Sequence, residues 1–236
     1  MGEYETVGIV DLGWTGSLQA VLRRLLDSAQ IRTKIVGFYM GMLDRPPAQE
    51  ASVYRTWLFS EKETGIKSWF SHNLMECVCS APHGMTMGYR RSGDRIVPVL
   101  AAEENPPEES GRIQQSIAQM LQSFPENACS QVHHRKTALQ LLKKLMYAPT
   151  IEETNALSRY RFCDDVGEQY HRSIVQTGKA SDYRRELLLF KPFCRDSTDG
   201  FYWYYGSVAA SSLKLKTFYR HGYLATRYII MKLKRR

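Results

Sequence analysis

The residues whose spacing most clearly suggests chemistry are Asp11, Gly13, Gly16 and Ser17, in the stretch VGIVDLGWTGSLQAVLRRLL over residues 7–26. An apolar run ending in an acid, then two glycines, then a hydroxyl residue at a helix start, is how α/β proteins build an anion site. The unpaired N–H groups of a helix N-terminus carry partial positive charge and favour a phosphate or carboxylate. Glycines at 13 and 16 permit positive φ and close backbone approach. Thr15 and Ser17 offer hydroxyls to phosphate oxygens, and Asp11, at the carboxyl end of a strand, accepts from sugar hydroxyls. Trp14 and Gln19 belong to the same candidate ligand surface. The stretch also fits a structural turn in which Asp11 and Ser17 cap the helix and Trp14 packs over it. It is not a dinucleotide fingerprint, lacking the third glycine and a ribose acid, nor a Walker loop, lacking the Gly-Lys pair.

A second candidate group lies in APHGMTMGYRR, residues 81–91. His83, beside a glycine, suits general acid or base work, and Tyr89, Arg90 and Arg91 suit a diphosphate or a sugar acid. Glu76 adds a nearby carboxylate. A plain hairpin with a solvated histidine and surface arginines competes with that reading. Cys77 and Cys79, flanked by His72 and His83, have spacing too irregular for a zinc site and read as packed small residues. Asp164 and Asp165 read as loop solvation, and His133 and His134 head a helix. No metal and no cofactor is expected.

These residues need elements to hold them. Residues 7–11 are continuously apolar up to Asp11 and read as a fully buried strand. Leu18, Val21, Leu22, Leu25 and Leu26 recur at helical spacing, with Arg23, Arg24 and Asp27 on the wet side and Ser17 or Thr15 as cap. Residues 35–42, IVGFYMGM, form a second apolar strand, so the order is β-α-β with parallel strands, a half-Rossmann unit. DRPPA at 44–48 breaks the chain. Short strands are expected at 56–59 and 75–79, then a hairpin of 85–89 and 96–100 turning at Ser92-Gly93-Asp94. Beyond the acidic linker EENPPEE, helices are expected over 110–124 and 131–147, and a third behind a capping box of Thr150 and Glu153. Residues 187–190 fit a strand or a short helix equally. The fold class is α/β: a Rossmann-like domain over 1–102, a helical region over 103–200 and a basic, aromatic segment over 201–236.

Composition narrows the class. Hydrophobic residues make up 43% and aromatics 11% of the 236 residues, as in a globular chain, and no apolar run approaches the roughly 18 residues of a membrane span. The five cysteines are odd in number and scattered, which suits reduced thiols in a cytosol. The N-terminus has no basic n-region, so no secretory signal is expected. The net charge is +8, and the segment from Phe201 onward holds eight of the 32 Lys and Arg residues (Lys214, Lys216, Arg220, Arg227, Lys232, Lys234, Arg235, Arg236) with no acid, so the tail carries the whole excess. Such a segment, with Tyr223, Tyr228, Ile229, Ile230 and Leu233 among the cations, suits a helix lying on an anionic membrane surface, or one packed on the body with a solvated end. No nucleic-acid recognition motif accompanies the charge.

Two resemblances bear on function. VDLGWTGSL resembles the phosphate loop of phosphoribosyltransferases, with Thr15-Gly16-Ser17 in the phosphate-binding position and Asp11 as an acid, although Leu12 stands where those enzymes usually place a second acid. More of the chain is covered by a second likeness. VDLGWTGSLQAVLRRLL, IVGFYMGM, MECVCSAPHGMTMGYRRSGDRIVPVL, IQQSIAQMLQSF and APTIEETNAL with FCDDVG are similar, in order and spacing, to the C-terminal region of large hydrolases of the haloacid dehalogenase type, encoded with glycosyltransferases in bacterial surface-polysaccharide clusters. The Asp-x-Asp strand of their phosphatase domain is absent here, so no phosphatase activity carries over. The resemblance implies a cytoplasmic protein of surface-polysaccharide synthesis, peripheral at the inner face of the membrane. It would bind a phosphorylated sugar or nucleotide-sugar and meet other assembly enzymes. If catalytic, it would transfer a glycosyl group, with Asp11 orienting hydroxyls and His83 or Glu76 as acid or base. The alternatives are a non-catalytic, membrane-recruited scaffold and a phosphoribosyltransferase-like enzyme.

Overall fold

The structure, a computed structural model, describes residues 5–44, 52–81, 83–101, 107–123, 134–163, 172–190 and 200–234. The chain is mixed α/β, with a parallel three-stranded sheet and a mainly helical C-terminal half. It divides into two compact units. The first is built from Met1–Phe70, His133–Gln140 and Arg227–Arg236, and the second from Ser71–Val132 and Leu141–Thr226.

In the first unit β1 (Thr6–Asp11), α1 (Ser17–Ser28) and β2 (Lys34–Gly41) form the expected β-α-β, and β3 (Ser52–Phe59) adds a third parallel strand in the order β1-β2-β3. The register pairs Ile9 with Gly37 and Asp11 with Tyr39, so those side-chain positions share one face, and Val10 shares the other with Phe38. Two expectations are corrected here. β1 is not doubly buried: it is the sheet's edge strand, no residue of it is buried, and Val10 is 89% exposed. Helix α1 buries Gln19, Ala20, Arg23 and Leu26, while Leu18, Val21 and Leu25 stay 60%, 51% and 62% exposed.

The reason lies in backbone carbonyls that the leucines could not satisfy. Gln19 Nε2 donates to Val53 O at 3.3 Å and Ile35 O at 3.5 Å, and Gln19 Oε1 accepts from the Tyr39 hydroxyl at 2.9 Å. The Arg23 guanidinium donates to Ile31 O (2.9 Å) and Thr33 O and pairs with Asp27 at 2.6 Å. A buried polar group without a partner costs about 1–3 kcal/mol, so these bonds orient the helix against its own apolar stripe. Gly37 leaves the space for it, since a Cβ there would run into the Gln19 amide oxygen and the Tyr39 ring.

The first unit closes around aromatic rings: Trp14 lies 5.4 Å from Phe70 and 6.4 Å from Phe59, and Phe59 meets Phe70 edge-on at 4.8 Å between centroids. The short α2 (Thr64–Lys67) follows β3. Distant segments are tied in by arginines. Arg135 pairs with Glu63 at 2.6 Å and donates to Trp57 O at 3.0 Å, and Arg227 Nη1 donates to Phe70 O at 3.0 Å. Burial alone would raise the Glu63 carboxyl, but the Ser60 N–H and the Arg135 guanidinium outweigh it and hold the group below its ordinary range.

In the second unit, residues 72–79 are helical (α3, His72–Cys79), where a strand over 75–79 was expected. Ser71 caps the helix by accepting from Leu74 N at 3.3 Å, and Leu74, Met75, Cys77 and Val78 fall at helical spacing. The hairpin β4 (Thr86–Ser92) and β5 (Arg95–Leu100) turns at Gly93 with φ 60°. Then come α4 (Pro107–Ser123), α5 (His134–Tyr147), which contributes to both units, and α6 (Ile151–Leu157). Thr150 Oγ1 accepts from Glu153 N at 3.1 Å and Glu153 Oε2 accepts from Thr150 N at 2.7 Å, completing the expected capping box. Thr150→Ala is expected to cost about 1 kcal/mol, read as a lower urea midpoint at unchanged slope.

A two-residue ladder joins β6 (Arg161–Phe162) to β7 (Arg172–Ser173), and α7 (Ala180–Arg185) leads on to residues 187–190, which are turns. The aromatic block then goes inward. Tyr202 to Tyr205 are all buried, with Trp203 donating its indole N–H to Met146 O at 2.8 Å and Tyr204 at the start of α8 (Tyr204–Ala210). Helix α9 (Lys216–Leu233) ends the described chain, and Tyr223 on it stacks on Tyr204 at 3.9 Å. Among the described residues no helix is long and apolar enough to cross a membrane.

Candidate functional site

At the carboxyl end of β1, Asp11 Oδ1 accepts from Gly13 N at 2.9 Å, closing a tight turn. Gly13 has φ 35° and lies against the Tyr39 ring, where any Cβ would clash. Burial, then the Asp11 carboxylate and Tyr54, push the Tyr39 hydroxyl up to about 12, so it stays protonated and donates to Gln19. Trp14 is buried by its aromatic neighbours, and its carbonyl accepts from Leu43 N at 2.7 Å and Asp44 N at 3.3 Å, which fastens this loop to the one after β2.

Gly16, at φ 71°, is the N-cap of α1, and no side chain caps the helix. The expected cap by Thr15 or Ser17 is therefore not made. Instead Thr15 Oγ1 donates to Ser17 Oγ at 3.2 Å, and both side chains are exposed. Glycine at that position takes the left-handed conformation without strain, so the turn closes without the hydroxyl bond.

Next to this loop opens a cleft of about 830 Å³, lined by Leu43, Asp44, Glu61, Lys62, Lys67, Met231 and Lys234. Leu43 and Asp44 follow the carboxyl end of β2, and Glu61 and Lys62 follow that of β3. Ligands of open parallel sheets bind at that edge. Lys67 is buried, with Nζ donating to Leu43 O and to Glu61 O (3.2 Å), so it braces both strand ends. Lys62 and Lys234 bring further positive charge, and Asp44 and Glu61 supply acceptors for hydroxyl groups.

Sequence reasoning did not find these cleft residues. The signal was present: they directly follow the apolar runs of β2 and β3, where the carboxyl-edge rule applies as well as it does after β1. The contribution of Met231 and Lys234, from 170 or so residues further on, has no local signal at all.

Of the other candidates, Asp11, Gly13, Trp14, Thr15, Gly16, Ser17 and Gln19 stand together at this edge in the first unit, with the Gln19 amide turned inward. Glu76, His83, Tyr89 and Arg90 belong to the second unit. Glu76 is half-buried on α3. His83 is exposed, with Nδ1 3.0 Å from Gly84 O. Tyr89 is 73% exposed opposite Pro98, and Arg90 stands opposite Val97, so these consecutive residues lie on opposite faces of the hairpin.

Burial pushes the Cys77 thiol up to about 12 and raises that of Cys79, the opposite of an activated thiolate. No group of three or more His, Cys, Asp or Glu gathers as a metal cluster among the described residues. Cys129, His133, Asp164, Asp165 and Cys194 lie outside the described residues. Compared with known proteins, the sequence matches no family model and no curated protein.

Proposed function

We propose that the protein binds a phosphorylated sugar or nucleotide-sugar at the carboxyl edge of its parallel sheet, and that it serves bacterial surface-polysaccharide synthesis as a donor-binding or glycosyl-transferring protein. The observation that carries the reading is the cleft itself, where Lys62, Lys67 and Lys234 meet Asp44 and Glu61 past the carboxyl ends of β2 and β3. Lysine cations suit phosphate, and the two carboxylates suit sugar hydroxyls. The volume is that of a small-molecule site. The resemblance to polysaccharide-cluster proteins supports the choice of sugar.

The test is thermal shift and calorimetric titration with UDP-, GDP- and dTDP-sugars and with hexose phosphates. Lys62→Ala combined with Lys234→Ala is expected to weaken binding at least about tenfold, since a hydrogen bond to a charged group contributes about 1.5–3 kcal/mol. Silence from every ligand at millimolar concentration would sink the reading. A second reading has its own observation: the exposed Leu18, Val21 and Leu25 on α1 would suit a scaffold module that docks a partner. A pulldown lost in a Leu18→Ser, Leu25→Ser variant would favour it.

A further inference from the structure

Helix α1 lies on one face of the parallel sheet. Gly37 and Tyr39 of β2 meet Gln19 of the helix, so the face it covers is that of Asp11, Tyr39 and Tyr54. The register puts Val10, Phe38 and Arg55 in one row across the opposite face, and Gly8, Val36 and Val53 in the next. Side-chain contacts agree: the Arg55 guanidinium sits 5.9 Å over the Phe38 ring, and a Cβ on Gly8 would reach that ring at 3.8 Å. Val10 and Phe38 are 89% and 45% exposed, and Trp57, two residues beyond Arg55, is 50% exposed. Val36 and Val53 are half-buried between them.

An apolar face left in water is foreign to this kind of sheet, since parallel strands occur almost only where helices cover both faces. The face also carries charge of one sign. Lys34, opposite Thr6, and Arg55 are both exposed, and no Asp or Glu stands in these rows. Its length suits a helix: the eight residues of β2 span about 26 Å, which is the length of about 18 residues of α-helix.

We infer that this face docks an amphipathic helix of a partner protein, whose apolar stripe lies on Val10, Val36, Phe38 and Val53 and whose bordering carboxylates meet Lys34 and Arg55. A helix is the element that packs on a parallel sheet, by its apolar face, and the two cations select an acidic one. Helix α1 of a second copy lacks the matching charge, because Arg24 borders its exposed stripe and Asp27 already pairs with Arg23. The face lies across the sheet from α1, and none of its residues lines the cleft, so it is separate from the ligand site and from the exposed leucines of α1.

The experiment is fluorescence anisotropy of labelled peptides of about 18 residues, titrated with the full chain. One peptide is an amphipathic helix of Leu and Ala with its stripe bordered by Glu, another is the same helix bordered by Lys, and the last is a scrambled form of the first with no apolar face. The Glu peptide is expected to bind, less tightly as salt rises, with the Lys peptide at least about tenfold weaker and the scrambled peptide silent. Lys34→Glu with Arg55→Glu, both at exposed positions, should reverse the order of the Glu and Lys peptides, which misfolding could not do. Val10→Ser with Phe38→Ser, at unchanged circular dichroism, should weaken the Glu peptide at least about tenfold. Equal binding of all the peptides, no binding of the Glu peptide at millimolar concentration, or full binding by the serine variant would each overturn the inference. So would loss, in the serine variant, of self-association in sedimentation equilibrium or of pelleting with phosphatidylserine vesicles, which would give the face to a second copy or to a membrane.

Discussion

Phe70→Ala is expected to lower the melting temperature by about 10 °C. Phe70 is fully buried and is the ring that touches both Phe59 and Trp14. Truncating a buried phenylalanine to alanine costs about 3–5 kcal/mol, because the lost transfer free energy is joined by a cavity that neighbours only partly fill. At roughly 2–4 °C per kcal/mol for a chain of this size, that cost gives the stated drop. The variant also reports on the proposed site. Trp14 is anchored in this cluster and its carbonyl holds Leu43 and Asp44, so the cleft wall loosens with it. Calorimetry and sugar-ligand titration should therefore move together; a melting point within 3 °C or so of wild type would show that the cluster does not carry the sheet unit.

Gly37→Ala has the second large effect, by the opposite route. The added methyl meets the Gln19 amide oxygen and the Tyr39 ring, and α1 can relieve it only by giving up the bonds from Gln19 to Val53 O and from Tyr39 to Gln19. Overpacking costs about 1–3 kcal/mol, and a stranded buried amide about as much again. Two controls isolate the cause. Gly88→Ala, where a Cβ meets nothing within 4 Å, should be close to neutral. Gln19→Ala in the Gly37→Ala background should recover part of the loss, because neighbours that share a clash do not add.

The parallel β-α-β and the helical second half were legible from periodicity and capping residues alone. The orientation of α1 was not. Its leucines recur at helical spacing as cleanly as any buried face, yet the sheet below offers glycines and carbonyls, which recruit Gln19 and Arg23 instead. Strand β1 misled for a related reason: a continuous apolar run reads as doubly buried only if elements cover both faces, and sequence spacing carries no information about which strand ends the sheet. At residues 75–79 the apolar run reads as a strand, while the Ser71 cap and the helical spacing of Leu74, Met75, Cys77 and Val78 decide for a helix. The loop after β1 was legible as a turn with an acid at its base, while the lysine cleft depended on strand ends brought together by pairing.

The make-up of the first unit has a consequence for biosynthesis. Its sheet is complete by Phe59, but Met231 and Lys234 of its cleft and the Arg227 bond to Phe70 arrive more than 150 residues later. A nascent chain emerging at about 5–20 residues per second therefore exposes an unfinished N-terminal unit for roughly ten seconds or more. Chaperone occupancy during synthesis should concentrate on that interval, and any fragment cut between the two units in sequence would leave the first one without its last wall.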